Sequence, residues 1–369
     1  MLLLKNAELP FPENKKMQTL SEIEFEEVSG RDGNLGLITL TRPQALNALN
    51  QPMINALHQQ LTEWESANHI KAVVIRAAEG RAFCAGGDVR SVYERKLKHD
   101  SNLTNFFRDE YTLNRCIHDY EKPYIALIDG IIMGGGAGIS IHGSHRVASD
   151  RMLFAMPETA IGFYPDVGMT YILARLPHQI GYYLGLTGAR ILLSDCIATG
   201  LIDHHVKGDR FPDLIYALAD TSFDVDEHET ITNVIKSFSV PAENSTLLQQ
   251  SDVIEKCFSE KTIEKIIHAL ENTGDNKWNE VASLLKTKSP TSLKVTLHAL
   301  QEAENLDFDE AIQMEFRLSS QFLQGHDFFE GVRAVLIDKD QTPHWKPATL
   351  KEVTADSIKK YFEPLEMEL

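Results

Sequence analysis

Two short glycine-rich stretches carry the residue types best suited to chemistry: Phe83-Cys84-Ala85-Gly86-Gly87-Asp88 and Met133-Gly134-Gly135-Gly136-Ala137-Gly138. Each follows an apolar, β-type run, Lys71 to Ala77 and Pro123 to Asp129, and each precedes a pattern that can be helical. A strand that ends in glycines and opens a helix presents bare backbone N–H groups. Two such ends can place two donors on one oxygen, the arrangement that stabilises a carbonyl as it gains negative charge. Neither stretch contains G-x-G-x-x-G or G-x-x-x-x-G-K-[ST], which argues against a nucleotide-phosphate loop. Tight turns and close packing would also account for the glycines.

Two carboxylates stand in telling places. Glu158 follows Pro157 among apolar neighbours, with Phe154, Ala155 and Met156 before it and Ala160 and Ile161 after it. A carboxylate held in such surroundings has a raised pKa, useful for proton transfer near neutral pH. A first-turn glutamate that complements a helix N-terminus would look the same. Asp166 stands before Val167, Ile172, Leu173 and Leu176, where an aspartate most often serves as a helix N-cap. His142, His145, His204 and His205 lack acids or cysteines at ligand spacing, so no metal site is expected.

The elements that must position these groups are legible as patterns. Leu35 to Leu40 alternates into a strand, and Asn50-Gln51-Pro52 opens a helix with proline in its first turn. Met53, Ile54, Leu57, Leu61 and Trp64 follow as one apolar stripe. Helical spacing over Asn102 to Tyr120 puts Leu103, Phe106, Phe107, Leu113 and Ile117 near one face. His145 to Ser149 is a further strand. Strands alternating with helices imply parallel pairing and crossover connections. After about Asp209 the composition turns loop-like and acidic, and Asp203-His204-His205 reads as a surface loop. The remainder is mostly helical: Leu247 to Phe258, Ile263 to Asn272, Trp278 to Leu285, Leu293 to Glu302 and Phe308 to Gln324. The pattern divides the chain into an N-terminal extension (1–20), an α/β core (21–210) and a helical C-terminal region (211–369).

Composition narrows the class. The 369 residues are 43% hydrophobic and 24% charged, ordinary for a soluble globular protein. The 36 basic and 53 acidic residues leave a formal charge of −17, a poor overall match for nucleic acid or an anionic membrane. Four widely spaced cysteines without a C-x-x-C fit a reducing compartment. Met1 to Met17 has neither the long apolar stretch nor the arginines of a targeting peptide. With no apolar run long enough to span a bilayer, the expected location is cytoplasmic.

Thr41-Arg42-Pro43 with Asn47-Ala48-Leu49, the two glycine stretches, Met156-Pro157-Glu158-Thr159 and Gly162 together resemble the enoyl-CoA hydratase/isomerase (crotonase) superfamily from about Glu24 to Val206. Pro165-Asp166-Val167-Gly168, Ser289-Pro290-Thr291-Ser292-Leu293-Lys294 and Phe328 to Ala334 running to Trp345-Lys346-Pro347 resemble its 3-hydroxyisobutyryl-CoA hydrolase branch. The resemblance implies a spiral of ββα turns with a helical C-terminal region. It implies an acyl-CoA thioester hydrolase that serves valine breakdown. In that reading Gly87 and Gly135 hold the oxyanion, and Glu158 acts on the carbonyl as base or nucleophile. Asp166 orients the substrate hydroxyl or the water. Ala85, Gly86, Asp88 and Gly134 line the CoA site, with Arg90 a neighbour for its phosphates. CoA belongs to the substrate, and no metal or redox cofactor is implied. Hydratases that this chain resembles carry a second glutamate where Gly138 stands. An enoyl-CoA isomerase or hydratase of the same superfamily is the alternative, and a non-catalytic CoA-binding protein is another. Relatives of the superfamily form trimers and hexamers, so a homo-oligomer is possible.

Overall fold

The computed structural model describes residues 14–20, 22–223 and 226–369. Met1 to Glu13, which carry most of the N-terminal reading, lie outside the described residues, as do Asp224 and Val225. Eleven strands are described: β1 (Asn14–Leu20), β2 (Ile23–Val28), β3 (Asn34–Leu40), β4 (Ile70–Ala77), β5 (Ala82–Cys84), β6 (Tyr124–Ile128), β7 (Ile131–Met133), β8 (His145–Ala148), β9 (Leu153–Ala155), β10 (Ile191–Leu192) and β11 (His204–His205). They form a seven-stranded sheet in the order β1-β2-β3-β4-β6-β8-β11 and a four-stranded sheet in the order β10-β9-β7-β5. The chain meanders antiparallel from β1 to β3 and then turns parallel. Successive turns lay β4, β6 and β8 in the large sheet and β5, β7 and β9 in the small one. This is the expected spiral of ββα turns.

Both faces of the large sheet are buried, so its strands read as nearly continuous apolar runs. Leu35, Leu37, Ala72, Val74, Ile125, Leu127 and Val147 share one cluster with Phe211, Leu214, Leu218, Ile231 and Ile235. Ile38, Leu40, Val73, Ile75, Ala126 and Ile128 belong to the other, larger core. The period of two thus divides each strand between two cores. The outer cluster corrects one expectation. Phe211–Ala219 and Glu227–Phe238 are helices rather than loop, and they cover the sheet's outer face. The acidic residues lie at their ends and exposed faces, which hid the apolar stripe. His204 and His205 are likewise strand, paired parallel with Val147 and Ala148, not surface loop.

Four helices matter for the site: α1 (Gln51–Ser66), α2 (Val89–Leu97), α3 (Thr104–His118) and the short α4 (Gly135–Gly138). Asn50 caps α1 by accepting from Met53 N at 3.0 Å, with Pro52 in the first turn as its sequence predicts. The C-terminal helices Ser251–Phe258, Ile263–Glu271, Asn276–Leu285, Pro290–Ala303 and Phe308–Phe322 contribute to the same core as the spiral. Among the described residues no helix is long and apolar enough to cross a membrane.

Candidate active site

Two successive turns of the spiral each end a short strand in glycine, β5 and β7 of the small sheet. β5 runs into Gly86, at φ +119°, and then Gly87 before α2. β7 runs into Gly134, at φ +45°, and then Gly135, the first residue of α4. Both dihedrals are ones that side chains disfavour. The Gly87 segment is fixed by Leu49, whose N–H donates to Gly86 O at 2.8 Å and whose carbonyl accepts from Asp88 N at 2.7 Å. The two loops touch: a Cβ added to Gly135 would stand 3.1 Å from Gly87 N. Among the described residues neither the Gly87 nor the Gly135 N–H has an acceptor. Two adjacent unspent amides suit one incoming oxygen.

Three carboxyls converge on these amides. Glu158 opens the single 3₁₀ turn Glu158–Ile161 after β9, and its Oε1 would lie 3.0 Å from a Cβ on Gly134. Its Oε2 is buried without a hydrogen-bond partner. Glu110 comes from α3, and its Oε1 would lie 2.4 Å from a Cβ on Gly135. That oxygen is also buried without a partner. Asp166 accepts from Tyr111 Oη at 2.7 Å. Glu110, Glu158 and Asp166 are only 2%, 7% and 5% exposed.

Asp166 does not cap the following helix. The chain turns at Val167, which has φ +58°, a costly conformation for a β-branched residue. The helix amides Gly168 N and Thr170 N donate instead to the Glu315 carboxylate, at 2.6 and 3.0 Å. His142 Nε2 lies 2.6 Å from Val167 O and, as the donor, holds that turn. Burial pushes His142 down to about 4, so it holds the turn as a neutral ring. Behind Asp166, Ser319 Oγ lies 2.5 Å from Tyr111 Oη and 2.8 Å from Tyr164 Oη, and Tyr164 donates to Glu315 O. The acid is therefore freed from capping and oriented by side chains of α3 and the helix Phe308–Phe322.

The electrostatics follow from burial and like charge. Burial pushes Asp166 up to about 7. Glu158 is raised by burial and by the neighbouring Asp166 and Glu110, and Glu110 by burial and Asp166. Lys288, 8% exposed, is the cation that acts on Glu158, and its own burial pushes it down to about 8. Asp166, raised to about 7, exchanges its proton near neutrality, as acid–base work requires.

The residues expected to bind CoA line one cleft of about 560 Å³: Ala85, Gly86, Asp88 and Gly134, together with Gly87, Gly135, Glu158 and Asp166. Asp88 also caps α2 through Ser91 N at 3.1 Å and pairs with Arg42 at 2.9 Å. Arg42 and Arg90 also line the cleft, but both are already paired, Arg42 with Glu22 at 3.0 Å and with Asp88, and Arg90 with Glu94 at 3.2 Å. At Gly138 there is no room for a glutamate. A Cβ there would stand 2.6 Å from Asn114 Nδ2 and 2.8 Å from Val167 Cβ.

The sequence of the enoyl-CoA hydratase/isomerase family, as a whole-family model, matches residues 35–362. This chain belongs to that family. It is 45% identical over 338 residues to the mitochondrial 3-hydroxyisobutyryl-CoA hydrolase of Xenopus tropicalis, covering 90% of this chain and 87% of that one. The mitochondrial 3-hydroxyisobutyryl-CoA hydrolase of Homo sapiens is 42% identical, with 95% and 92% covered. Among solved structures, a carnitinyl-CoA dehydratase from Mycobacterium thermoresistibile superposes with a TM-score of 0.85 at 36% identity, over 93% of this chain and 97% of that one. An enoyl-CoA hydratase from Rhodobacter sphaeroides gives 0.83 at 35%, over 92% and 97%. The crotonase-like fold is thereby shown. The cytoplasmic location expected from the N-terminus and cysteines is overturned, because these hydrolase relatives are mitochondrial proteins.

Reasoning from sequence missed Glu110, Tyr111 and Lys288. The signal was present on α3: Phe107, Tyr111 and Asn114 follow the helical period along its buried face, and Glu110 is buried beside them. Lys288 had no local signal beyond its place before the Ser289 cap of Pro290–Ala303.

Proposed function

We propose that this protein hydrolyses the thioester of a short 3-hydroxyacyl-CoA, taking 3-hydroxyisobutyryl-CoA and water to 3-hydroxyisobutyrate and CoA. The observation that carries the reading is the pair of unspent amides, Gly87 and Gly135, beside the buried Glu158, whose Oε2 has no partner. The thioester oxygen sits on the two amides and gains charge there. Glu158 takes a proton from water that attacks the carbonyl carbon, or attacks that carbon itself to form an anhydride that water then cleaves; in either route the C–S bond breaks and the CoA thiolate leaves and takes up a proton. Asp166, fixed by Tyr111, orients the substrate hydroxyl or the water. The identity to hydrolases over nearly the whole chain supports this substrate class, which belongs to valine breakdown. No metal or redox group enters the chemistry.

A second reading, hydration of an enoyl-CoA, is favoured by Glu110. It returns a second glutamate to the cleft from α3, although Gly138 excludes one at its own position. One assay separates the two. Purified protein receives 3-hydroxyisobutyryl-CoA, 3-hydroxypropionyl-CoA and crotonyl-CoA, with a thiol-trapping dye and an enoyl absorbance readout. Free thiol from the hydroxyacyl esters, lost in Glu158→Gln, is expected. Loss of enoyl absorbance without thiol refutes hydrolysis. Labelled oxygen in Glu158 after one turnover in labelled water marks the covalent route.

A further inference from the structure

Behind Asp166 three hydroxyls meet from three parts of the chain: Tyr111 on α3, Tyr164 on the stretch before Asp166, and Ser319 on the helix Phe308–Phe322. All three residues are 0% exposed, so each hydroxyl proton must find its acceptor inside the protein. An acceptor stands at each end of the cluster. At one end Tyr111 Oη lies 2.7 Å from Asp166 Oδ2. At the other Tyr164 Oη lies 2.5 Å from Glu315 O, a carbonyl that can only accept. Ser319 Oγ stands between, 2.5 Å from Tyr111 Oη and 2.8 Å from Tyr164 Oη. The two tyrosine oxygens are 3.3 Å apart, beyond the usual O–H···O range.

The heavy atoms are pinned. Tyr164 stacks on Phe322 with ring centroids 5.5 Å apart. The turn before it is held from far along the chain: a Cβ on Gly162 would stand 2.4 Å from Asp327 O, and one on Gly331 2.3 Å from Ile161 C and O. What such a cluster can change is the direction of its hydroxyls. Counting protons gives two complete arrangements. With Asp166 ionised, Ser319 donates to Tyr111, Tyr111 to Asp166 Oδ2 and Tyr164 to Glu315 O. With Asp166 protonated on Oδ2, that oxygen donates to Tyr111, Tyr111 to Ser319, Ser319 to Tyr164 and Tyr164 to Glu315 O. The two differ by the one proton on Asp166, and the three hydroxyls only turn. Asp166 lines the cleft, and its Oδ2 is committed to Tyr111, which leaves Oδ1 to the cleft.

We propose that Ser319 is the pivot of a reversible hydroxyl chain, through which Asp166 carries its proton on the buried Oδ2 and keeps Oδ1 as an acceptor toward the cleft in both protonation states. Ser319 acts through Tyr111 and is a positioning residue. The inference rests on the reading of Asp166 as the group that orients the substrate hydroxyl or the water. Burial raises Asp166 to about 7, so both states are populated near neutrality. A Tyr111 fixed as donor would serve the ionised form alone and drive the proton onto the cleft oxygen. The titratable groups that face Asp166 are Glu158 and Tyr164 from its own stretch, Glu110 and Tyr111 from α3, and Glu315 from the helix Phe308–Phe322, with His142 at Val167 O. Ser319→Ala leaves all of them in place.

The test is the titration of Asp166 in the free protein, followed in infrared difference spectra as the carboxyl band that Asp166→Asn removes. Ser319→Ala leaves the Tyr111 proton without an acceptor when Asp166 is protonated, so the titration should move down by about one pH unit. Tyr111→Phe removes the donor that favours the ionised form, so the titration should move up. Ser319→Cys, close in volume and a poor hydrogen-bond partner, should move it down as alanine does and serves if the alanine variant does not fold. Thermal unfolding checks the fold of each. A titration that loss of the Ser319 hydroxyl leaves in place overturns the proposal, because the proton then sits on Oδ1. A shift in the same direction as that of Tyr111→Phe also overturns it, since loosened packing would act alike in both. Titrations as expected in a protein that cleaves no thioester overturn the hydrolase reading and leave the pivot standing.

Discussion

Gly135→Ala is the sharpest perturbation of the proposed chemistry. The residue is the first of α4, with a helical backbone that alanine tolerates, so the backbone contribution alone favours the fold by about 0.4–1 kcal/mol through the unfolded chain and offsets part of the crowding by the methyl. The added methyl, however, stands 2.4 Å from Glu110 Oε1 and 3.1 Å from Gly87 N. The second figure puts the methyl tight against the Gly87 amide, crowding the space an oxygen needs to reach it. The first obliges the Glu110 carboxyl to retreat by about 1 Å to reach ordinary contact. Loss of one such donor costs about 2.7–4 kcal/mol of transition-state stabilisation, roughly 10²–10³ in kcat. Gly136→Ala is the contrast. Its methyl would stand 2.1 Å from Cys84 O and 2.9 Å from Cys84 C, which are strand backbone and cannot yield cheaply. Overpacking of that kind destabilises by about 1–3 kcal/mol. Thiol release from 3-hydroxyisobutyryl-CoA gives kcat and KM, and thermal unfolding gives stability. Gly135→Ala should lose kcat with its melting point nearly kept, and Gly136→Ala should lose melting point. A folded Gly135→Ala that keeps kcat within about threefold of wild type, against the loss such donors normally carry, refutes the two-amide argument.

Asp166 carries a pH prediction for stability. Burial raises it from 3.8 to about 7, so the fold holds its proton over a range where the unfolded chain has released it. Its contribution is present below 3.8 and lost as pH rises through about 7. Asp166→Asn should therefore raise the melting point at pH 8 and lose that gain on acidification, and a gain independent of pH would refute the assignment. Lys288 carries a prediction for rate. Its ammonium favours the ionised form of Glu158, so Lys288→Met should move the acid limb of kcat to higher pH and Lys288→Arg should restore it. A limb that stays in place would remove Lys288 from the site.

What could be read without a structure was local. The glycine loops, the Asn50 cap and the apolar stripe of α1 follow from short-range rules, and each lies where those rules put it. The failures are non-local. Asp166 occupies an N-cap position in sequence, but Glu315, which accepts the helix amides, lies some 150 residues downstream. His204 and His205 become strand only because β8 offers its edge. Phe211–Ala219 becomes a buried helix face because the outer surface of the sheet needs cover. Glu110 was hidden by the period itself, since a stripe of phenylalanines draws attention away from the charged residue within it.

The contact of Gly162 and Gly331, each against the other's neighbouring backbone, has a consequence for synthesis. The turn that holds Glu158 is seated by residues that the ribosome adds 169 positions later. At ordinary elongation rates that interval is roughly ten to thirty seconds. During it the nascent chain can complete the strands of its spiral while Glu158 still lacks its seat. The turn that holds Glu158 therefore gains its seat near the end of translation, and a product cut short before Asp327 carries the glycine loops without that seat.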